Sequence, residues 1–308
     1  MKLSIVSPVY QAENIIDELV KRVSEEAEKI TANYEIILVE DGGLDNSWRK
    51  IEACCSKNPK IIGLKLSRNF GQHYAITAGL ENATGDYIIV MDCDLQDDPK
   101  YFQELLKKIK LGNHIVYTRK TNRNHGKFKN LTANAYYLVF NFLVNKKTNK
   151  AFNNIGCYSI LSRQVVESFL KFGDYRRHYL LVLRWLGFSH DFIEIEHNER
   201  HSGKSSYNFR KLIEHALDGI TSQSDKLLKA TAIFGFILSL ISFVSSLVII
   251  LMYLNKPFQA GWASIIVLIL FMSGLIISSI GICGIYIGKI FEQTKNRPLY
   301  LIEKKINI

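Results

Sequence analysis

Cysteine and proline are scarce in this chain, with five of each among 308 residues. The cysteines form neither a disulfide framework nor a metal-type spacing, since Cys54 and Cys55 are adjacent and Cys93 lies between two acidic residues. This pattern argues against a small disulfide-stabilised secreted domain and fits a reducing cytoplasm. Internal repeats and low-complexity segments are also lacking.

Charge is missing from two long apolar runs near the end of the chain. Residues 230–254 and 260–288 contain no Asp, Glu, Lys or Arg, and each run exceeds the roughly 20 residues that a helix needs to cross a bilayer. The linker between them, residues 255–259, is short, so we predict a transmembrane hairpin. Two buried core helices are the alternative, which is disfavoured because such helices are shorter and rarely lack charge for so long.

Basic residues flank the two runs on the side away from the linker. They are Arg210, Lys211, Lys226 and Lys229 before the runs and Lys289, Lys295 and Arg297 after them. The positive-inside rule then places both termini in the cytoplasm. The amphipathic residues 208–229 are predicted to lie in the membrane interface. Residues 121–150 are also basic and amphipathic, and either a helix packed on the soluble domain or an interfacial helix fits them.

The formal net charge of +10 has two interpretations. Nucleic acid could attract such a chain, but no nucleic-acid-binding motif is present, so we expect no nucleic acid partner. A basic surface that meets anionic lipid headgroups and phosphate substrates is the simpler explanation beside a membrane anchor.

Strand and helix patterns alternate through the first 120 residues. The predicted strands cover residues 3–7, 34–39, 61–66, 87–91 and 114–117, and the predicted helices cover residues 14–30, 45–55, 70–82 and 99–111. Apolar strands that alternate with helices predict an α/β fold with a mostly parallel sheet covered on both faces. Ligands of such sheets bind outside the carboxyl ends of the strands.

Two carboxylates, Asp92 and Asp94, follow the fourth predicted strand. Acidic residues after a strand are often only a solvated turn, but the buried strand before them and Gln96 after them favour a cation site. Mg²⁺ and Mn²⁺ prefer oxygen ligands and often take one or two carboxylates while substrate phosphates complete the shell. Asp97 and Asp98 are assigned instead to the start of the next helix, where carboxylates suit the helix dipole.

Two other polar segments have both a structural and a functional interpretation. Residues 40–43, Glu-Asp-Gly-Gly, are either an ordinary turn or a carboxylate that binds a base or ribose where glycines allow close approach. Residues 200–207 combine Arg, His, Lys, Gly and hydroxyl side chains, so they form either a solvated loop or a phosphate site.

Taken together, these segments resemble the membrane-anchored family 2 glycosyltransferases of the polyprenyl-phosphate type, which include dolichol-phosphate mannose synthase and the bactoprenol-phosphate glucosyltransferases. The resemblance runs almost from end to end. The segments that carry it are residues 4–10, 40–43, 66–71, 85–97, 185–188, 200–207 and 296–300.

The resemblance implies a GT-A nucleotide-sugar domain over residues 1–207, followed by the interfacial helix 208–229, the hairpin 230–288 and a cytoplasmic tail 289–308. It implies the following roles: donor binding by Pro8, Tyr10, Glu13, Asp41, Arg68 and Asp92; Mg²⁺ or Mn²⁺ binding by Asp92, Asp94 and Gln96; acceptor-phosphate binding by Arg119, Arg200, Lys204 and Ser205; and catalysis by Asp94, Arg119 and Arg200.

The chain departs from the family pattern at three places. Glu40 replaces the usual first Asp, and Asn154 and Cys157 stand where close relatives carry Asp. An acid that is sometimes assigned as the catalytic base is therefore absent. A phosphate acceptor tolerates this loss because its second pKa is about 6, so it is largely ionised at neutral pH.

The activity implied by the resemblance is a metal-dependent, inverting transfer of a sugar from a UDP- or GDP-sugar to polyprenyl (undecaprenyl) phosphate. We expect a multi-pass protein of the plasma (inner) membrane with its catalytic domain in the cytoplasm, and self-association is left open. Two alternatives are transfer to a hydroxyl of a lipid-linked saccharide, which would need a base, and a non-catalytic membrane scaffold that retains the fold.

Overall fold

The computed structural model describes residues 1–120, 155–175, 177–196, 228–238, 240, 241, 244 and 261–308. The chain divides into two compact units. Residues 1–125, 149–205 and 297–308 form the first, and residues 126–148 and 206–296 form the second. The ambiguous segment 121–150, the loop 200–207 and most of the segment 208–229 lie outside the described residues.

The first unit is built on one eight-stranded sheet. Its strands are β1 (Leu3–Val9), β2 (Tyr34–Glu40), β3 (Ile61–Leu66), β4 (Tyr87–Val90), β5 (Ile115–Lys120), β6 (Ile155–Ser162), β7 (His190–Ile195) and β8 (Ile302–Ile306). They lie in the order β7-β5-β6-β4-β1-β2-β3-β8. The pairs β1–β2, β1–β4, β2–β3 and β5–β7 are parallel, and β6 and β8 run antiparallel to their neighbours. The predicted mostly parallel α/β sheet is confirmed.

Helices cover both faces of this sheet. They are α1 (Ile16–Glu28), α2 (Ser47–Lys57), α3 (Gln72–Asn82), α4 (Phe102–Ile109), α5 (Arg163–Leu170) and α6 (Tyr179–Leu186). One apolar core contains residues of α1, α2 and α4, and the other contains residues of α3, α5 and α6. Because the sheet is buried on both sides, β1 and β2 are buried at every position, which explains why these strands are mostly apolar on both faces.

The end of the chain forms a strand that its sequence did not predict. Within the predicted tail 289–308, β8 pairs antiparallel with β3 at the edge of the sheet. The Asn307 side-chain amide donates to the carbonyls of Cys55 at 2.8 Å and Ile61 at 2.9 Å, and the Ser67 amide donates to the Leu301 carbonyl at 2.9 Å. Residues 302–306 therefore form the edge strand of the same sheet that contains β1.

The second unit contains two described apolar helices, α7 (Leu228–Leu238) and α8 (Trp262–Thr294). Among the described residues, one helix is long and apolar enough to cross a membrane, over Phe271–Thr294 with a mean hydropathy of 1.8. Residues 245–260 are not described, so the predicted two-helix hairpin is not confirmed. What the structure shows is the long helix that falls on the second apolar run.

A buried carboxylate ties the strands together at their amino ends. Glu35 is 4% exposed. Its Oε2 lies 2.5 Å from Lys2 Nζ, and its Oε1 accepts hydrogen bonds from Ser4 Oγ at 2.7 Å and the Thr84 amide at 2.7 Å. Burial by itself raises the pKa of Glu35, but these partners outweigh it and hold the pKa below its usual value. Glu35 therefore joins β2 to β1 and to the turn before β4.

We expect Glu35→Gln to lower the free energy of unfolding at pH 7 by about 1–3 kcal/mol, because buried donors lose a charged acceptor. The depressed pKa means that this contribution is present above the unfolded-state pKa, about 4.3, and is lost as the pH falls through the folded-state pKa. The difference between wild type and variant should therefore shrink in acid. Unfolding curves in detergent at neutral pH and at about pH 3.5 measure it, with the exposed Glu25→Gln as control. A variant as stable as wild type at pH 7 would contradict this account.

Candidate active site

The carboxyl ends of the parallel strands bring the predicted donor and metal residues to one edge of the sheet. Tyr10 follows β1, Asp41 follows β2, Arg68 follows β3 and Asp92 follows β4. The antiparallel β6 begins at the same edge, because its Ile155 pairs with Arg119 near the end of β5. Of the predicted site residues, Arg200, Lys204 and Ser205 lie outside the described residues, as does Asn154.

Gln72 of α3 contacts both Asp92 and Cys157 of β6. The Gln72 side-chain amide donates to Asp92 Oδ1 at 2.6 Å, and the same nitrogen lies 3.9 Å from Cys157 Sγ. Gln72 is the first residue of α3, and the sequence pattern did not identify it as a site residue. Its position directly after the matched segment 66–71 is the signal that could have identified it.

The turn after Asp92 is anchored by a buried leucine. Leu95 adopts φ 56°, in the left-handed region, and its side chain is 1% exposed. A non-glycine residue holds such a conformation only where its surroundings enforce it. Asp94 Oδ1 accepts a hydrogen bond from the Gln96 amide at 3.1 Å. The turn therefore buries its central side chain and leaves Asp94 and Gln96 half-buried on either side of it.

The segment 92–98 is also fastened from three neighbouring elements. Lys120 Nζ of β5 lies 3.2 Å from Asp97 Oδ1, and Asp97 is 1% exposed. Tyr158 Oη of β6 donates to the Asp98 carbonyl at 3.0 Å, and Arg22 of α1 lies 3.0 Å from Asp98 Oδ1. The Asp98 side chain also accepts from the Lys100 amide, which confirms its predicted place at the helix start. Asp97 differs from the expectation, because its side chain lies in the interior.

The electrostatics of this segment favour a bound cation. Burial of its carboxyl group, followed by the negative charges of Asp97 and Asp94, raises the pKa of Asp92 to about 7, while Lys120 opposes the shift. A divalent cation beside the carboxyl group would reverse that balance, since it is the largest local charge wherever it binds.

The donor set is chemically suited to Mg²⁺ or Mn²⁺ and incomplete without further ligands. Asp92, Asp94 and Gln96 offer oxygen atoms only, the ligand type these cations prefer. Across the parts of the chain that the structure describes, no three His, Cys, Asp or Glu residues form a group that could hold a metal ion. Water or the phosphates of a ligand would have to complete the coordination, as is usual for Mg²⁺.

Asp41 joins the loops that follow β2 and β3. Its two carboxylate oxygens accept hydrogen bonds from the Phe70 amide at 2.8 Å and the Gly71 amide at 2.9 Å. Burial raises the pKa of Asp41 despite these bonds. Each oxygen keeps a second lone pair, so the observed bonds are compatible with the predicted nucleotide contact.

Gly42 allows these two loops to pass at close range. Its φ is +62°, and a Cβ there would lie 2.2 Å from the Arg68 carbonyl carbon and 2.3 Å from the Asn69 nitrogen. The sequence pattern predicted that the glycines let a base or ribose approach closely. What approaches Gly42 in the structure is the backbone of the loop after β3. The Glu40 carboxylate accepts a hydrogen bond from the Gly43 amide and supports the same turn.

The remaining residues predicted to bind the donor differ in solvent exposure. Tyr10 is 46% exposed, and the Arg68 guanidinium lies 4.1 Å from the centre of the Phe70 ring on the exposed loop. Pro8 is buried within β1. Glu13 Oε2 accepts from the Asn46 amide at 2.9 Å, so its carboxylate also holds the start of α2.

Arg119 and Lys120 point to opposite sides of β5, as successive strand residues do. The Arg119 guanidinium lies 4.7 Å from the centre of the Phe192 ring, with Nη1 3.9 Å from Glu194 Oε1. Lys120 reaches the acidic segment instead. The sequence pattern singled out Arg119 and missed Lys120, because side-chain direction at the end of a strand depends on where pairing ends.

Comparisons with known proteins agree with this arrangement. Residues 4–170 match the family described as glycosyl transferase family 2. The bactoprenol glucosyl transferase of Shigella phage SfII is 34% identical over 307 residues, which span 99% of this chain and 98% of that protein. The uncharacterized glycosyltransferase YkcC of Bacillus subtilis is 32% identical over 310 residues, spanning 100% of this chain and 95% of the relative.

A solved structure supports the fold. Glucosyl-3-phosphoglycerate synthase from Mycobacterium tuberculosis, solved with Mn²⁺, UDP-glucose and phosphoglyceric acid, aligns with a TM-score of 0.51 at 14% identity, covering 71% of this chain and 77% of that one. At this identity the likeness concerns the fold alone. With the family match over residues 4–170 and relatives aligned along their full length, the chain belongs to glycosyl transferase family 2, as a GT-A-like glycosyltransferase.

Proposed function

We propose that this glycosyltransferase moves a sugar from a UDP- or GDP-sugar to polyprenyl (undecaprenyl) phosphate at the cytoplasmic face of the plasma membrane. The observation that carries the proposal is the pair Asp92 and Asp94 at the carboxyl edge of the sheet, in a chain that also contains the apolar helix α8. Full-length relatives named bactoprenol glucosyl transferases support the lipid acceptor.

For the donor, we assign the nucleotide to the loops after β1, β2 and β3. Tyr10 and Arg68 are exposed there, and Asp41 has lone pairs left for a base or ribose. Asp92, Asp94 and Gln96 would hold Mg²⁺ or Mn²⁺, which when bound would neutralise charge that develops on the leaving diphosphate. Gln72 and the buried Leu95 orient these ligands before the substrate arrives, so that little reorganisation is needed.

For the acceptor, the absence of an ionised base at Cys157 favours a phosphate. Burial, followed by the charges of Asp92 and Asp97, raises the pKa of the Cys157 thiol well above its usual value, so this side chain stays neutral. A phosphate acceptor is already ionised, and attack on the face opposite the leaving group gives inversion. Arg119, Arg200, Lys204 and Ser205 are proposed to bring the two anions together.

Chain topology supports the membrane hairpin. Residues on both sides of the apolar segment, 1–125 and 297–308, belong to one unit, so an even number of crossings must separate them. With α8 proposed as one crossing, a second crossing would be needed before it, and the first apolar run with α7 at its start is the candidate. Both termini then lie on the side of the catalytic domain, which the basic flanks place in the cytoplasm.

The acceptor assignment is tested with the full-length protein in detergent, incubated with a panel of nucleotide sugars and undecaprenyl phosphate. Mass analysis of the lipid should show one added sugar with one donor of the panel. If sugar is added only to a lipid-linked saccharide, the acceptor assignment is wrong. If no donor is bound or consumed, the chain is a scaffold that retains the fold.

Asp94→Ala should lower turnover by about 100-fold or more, because a cation that stabilises a developing charge contributes several kcal/mol to the rate. Chelation of divalent cations should have the same effect on the wild-type protein. Initial rates with and without added Mg²⁺ or Mn²⁺ measure both effects, and the exposed Glu104→Gln on α4 is the matched control. Full wild-type activity in excess EDTA would contradict the metal assignment.

A further inference from the structure

The ion pair between Lys120 and Asp97 is buried beside the proposed metal site. The two side chains are 11% and 1% exposed, and Nζ lies 3.2 Å from Asp97 Oδ1. Burying two opposite charges costs desolvation energy and is weak evidence for stability, because apolar residues of similar size often serve as well. The pair fastens the segment 92–98, but net stability alone does not explain why charged residues are used there.

Both members of the pair act on Asp92. The charges of Asp97 and Lys120 are each felt by the Asp92 carboxyl group, and also by the Cys157 thiol. The stem of Lys120 runs past Gly156 of β6, where an added Cβ would lie 3.5 Å from Lys120 Cε. Asp92, Asp97, Cys157 and Lys120 thus lie together between β4, β5 and β6.

An ammonium group in this place is a potential competitor of the metal. Lysine carries a compact charge with three donors on a flexible four-carbon stem, so it can turn toward a nearby carboxylate. Asp92 would then be paired with an internal cation. The observed partner of Lys120 is instead Asp97, and Asp92 receives a neutral donor from Gln72.

We propose that Asp97 is a positioning residue that holds the Lys120 ammonium away from Asp92, so that Asp92 stays available to a divalent cation. The inference rests on the proposed function, in which Asp92 is a metal ligand. Asp97 acts through Lys120 and touches neither donor nor acceptor. Loss of its charge frees the ammonium to pair with Asp92, which weakens metal binding.

The test measures Mn²⁺ binding to the full-length protein in detergent, without donor, by electron paramagnetic resonance at pH 8. We expect Asp97→Asn to weaken Mn²⁺ binding about tenfold or more. The double variant Asp97→Asn/Lys120→Met removes the competitor as well and should bind Mn²⁺ within about threefold of wild type. Lys120→Met alone should not weaken binding, since no ammonium remains to compete.

A matched control separates competition from loss of loop structure. Asp98→Asn weakens two other anchors of the same segment, the 3.0 Å contact with Arg22 and the 4.0 Å contact with Lys100 Nζ. It leaves the Lys120–Asp97 pair in place, so it should bind Mn²⁺ nearly as wild type does. Circular dichroism and thermal unfolding check that each variant is folded. Should Asp97→Asn fail to fold, Lys120→Met still distinguishes the two explanations. If the ion pair were purely structural, Lys120→Met would bind Mn²⁺ more weakly than wild type.

Three results would overturn the inference: unchanged Mn²⁺ binding in Asp97→Asn, a double variant as weak as Asp97→Asn, or weakened binding in Lys120→Met. If the wild-type protein binds no Mn²⁺, the metal assignment fails and the inference falls with it. If the expected pattern of Mn²⁺ binding appears but no sugar reaches undecaprenyl phosphate, the inference stands and the proposed acceptor is wrong.

Discussion

The crowding of acidic side chains around the half-buried Asp92 carboxyl group is the constraint on which the candidate site depends. A carboxylate in a poorly solvated place, close to two other acidic side chains, is costly unless a positive charge joins it. The surrounding residues supply only part of that compensation, through Gln72 and the charge of Lys120. In the proposed function, the remaining imbalance would give the segment 92–98 an affinity for a cation, and through the cation for a diphosphate.

The shape of this segment follows from the sheet that carries it. The parallel strands β1 to β4 end at one edge, and the antiparallel β6 returns to the same edge between β4 and β5. The turn at Leu95 is therefore packed from several elements at once, which explains how a residue with positive φ is maintained. In the proposed function, a site held in this way would keep the metal ligands in place before a substrate binds, which would reduce the cost of reaching the transition state.

Much of this arrangement was accessible from the sequence, because its local signals agree with the fold. The strands and helices of the first 120 residues occur close to the predicted positions, and Asp92 and Asp94 lie at the expected edge. Contacts that depend on pairing between distant segments were not accessible. β8 was missed because its sequence, Ile-Glu-Lys-Lys-Ile, is charged as exposed edge strands often are. Lys120 was missed because the antiparallel β6 decides which side chain of β5 faces the acidic segment.

Binding measurements without turnover can show whether Asp92 and Asp94 form a cation site that the diphosphate of the donor completes. Mn²⁺ affinity of the full-length protein is measured by electron paramagnetic resonance with and without UDP or GDP, and with the corresponding monophosphates as controls. We expect that one diphosphate tightens Mn²⁺ binding about tenfold or more, that Mn²⁺ tightens nucleotide binding by the same factor, and that the monophosphates do neither. Equal nucleotide affinity with and without the cation would contradict this expectation.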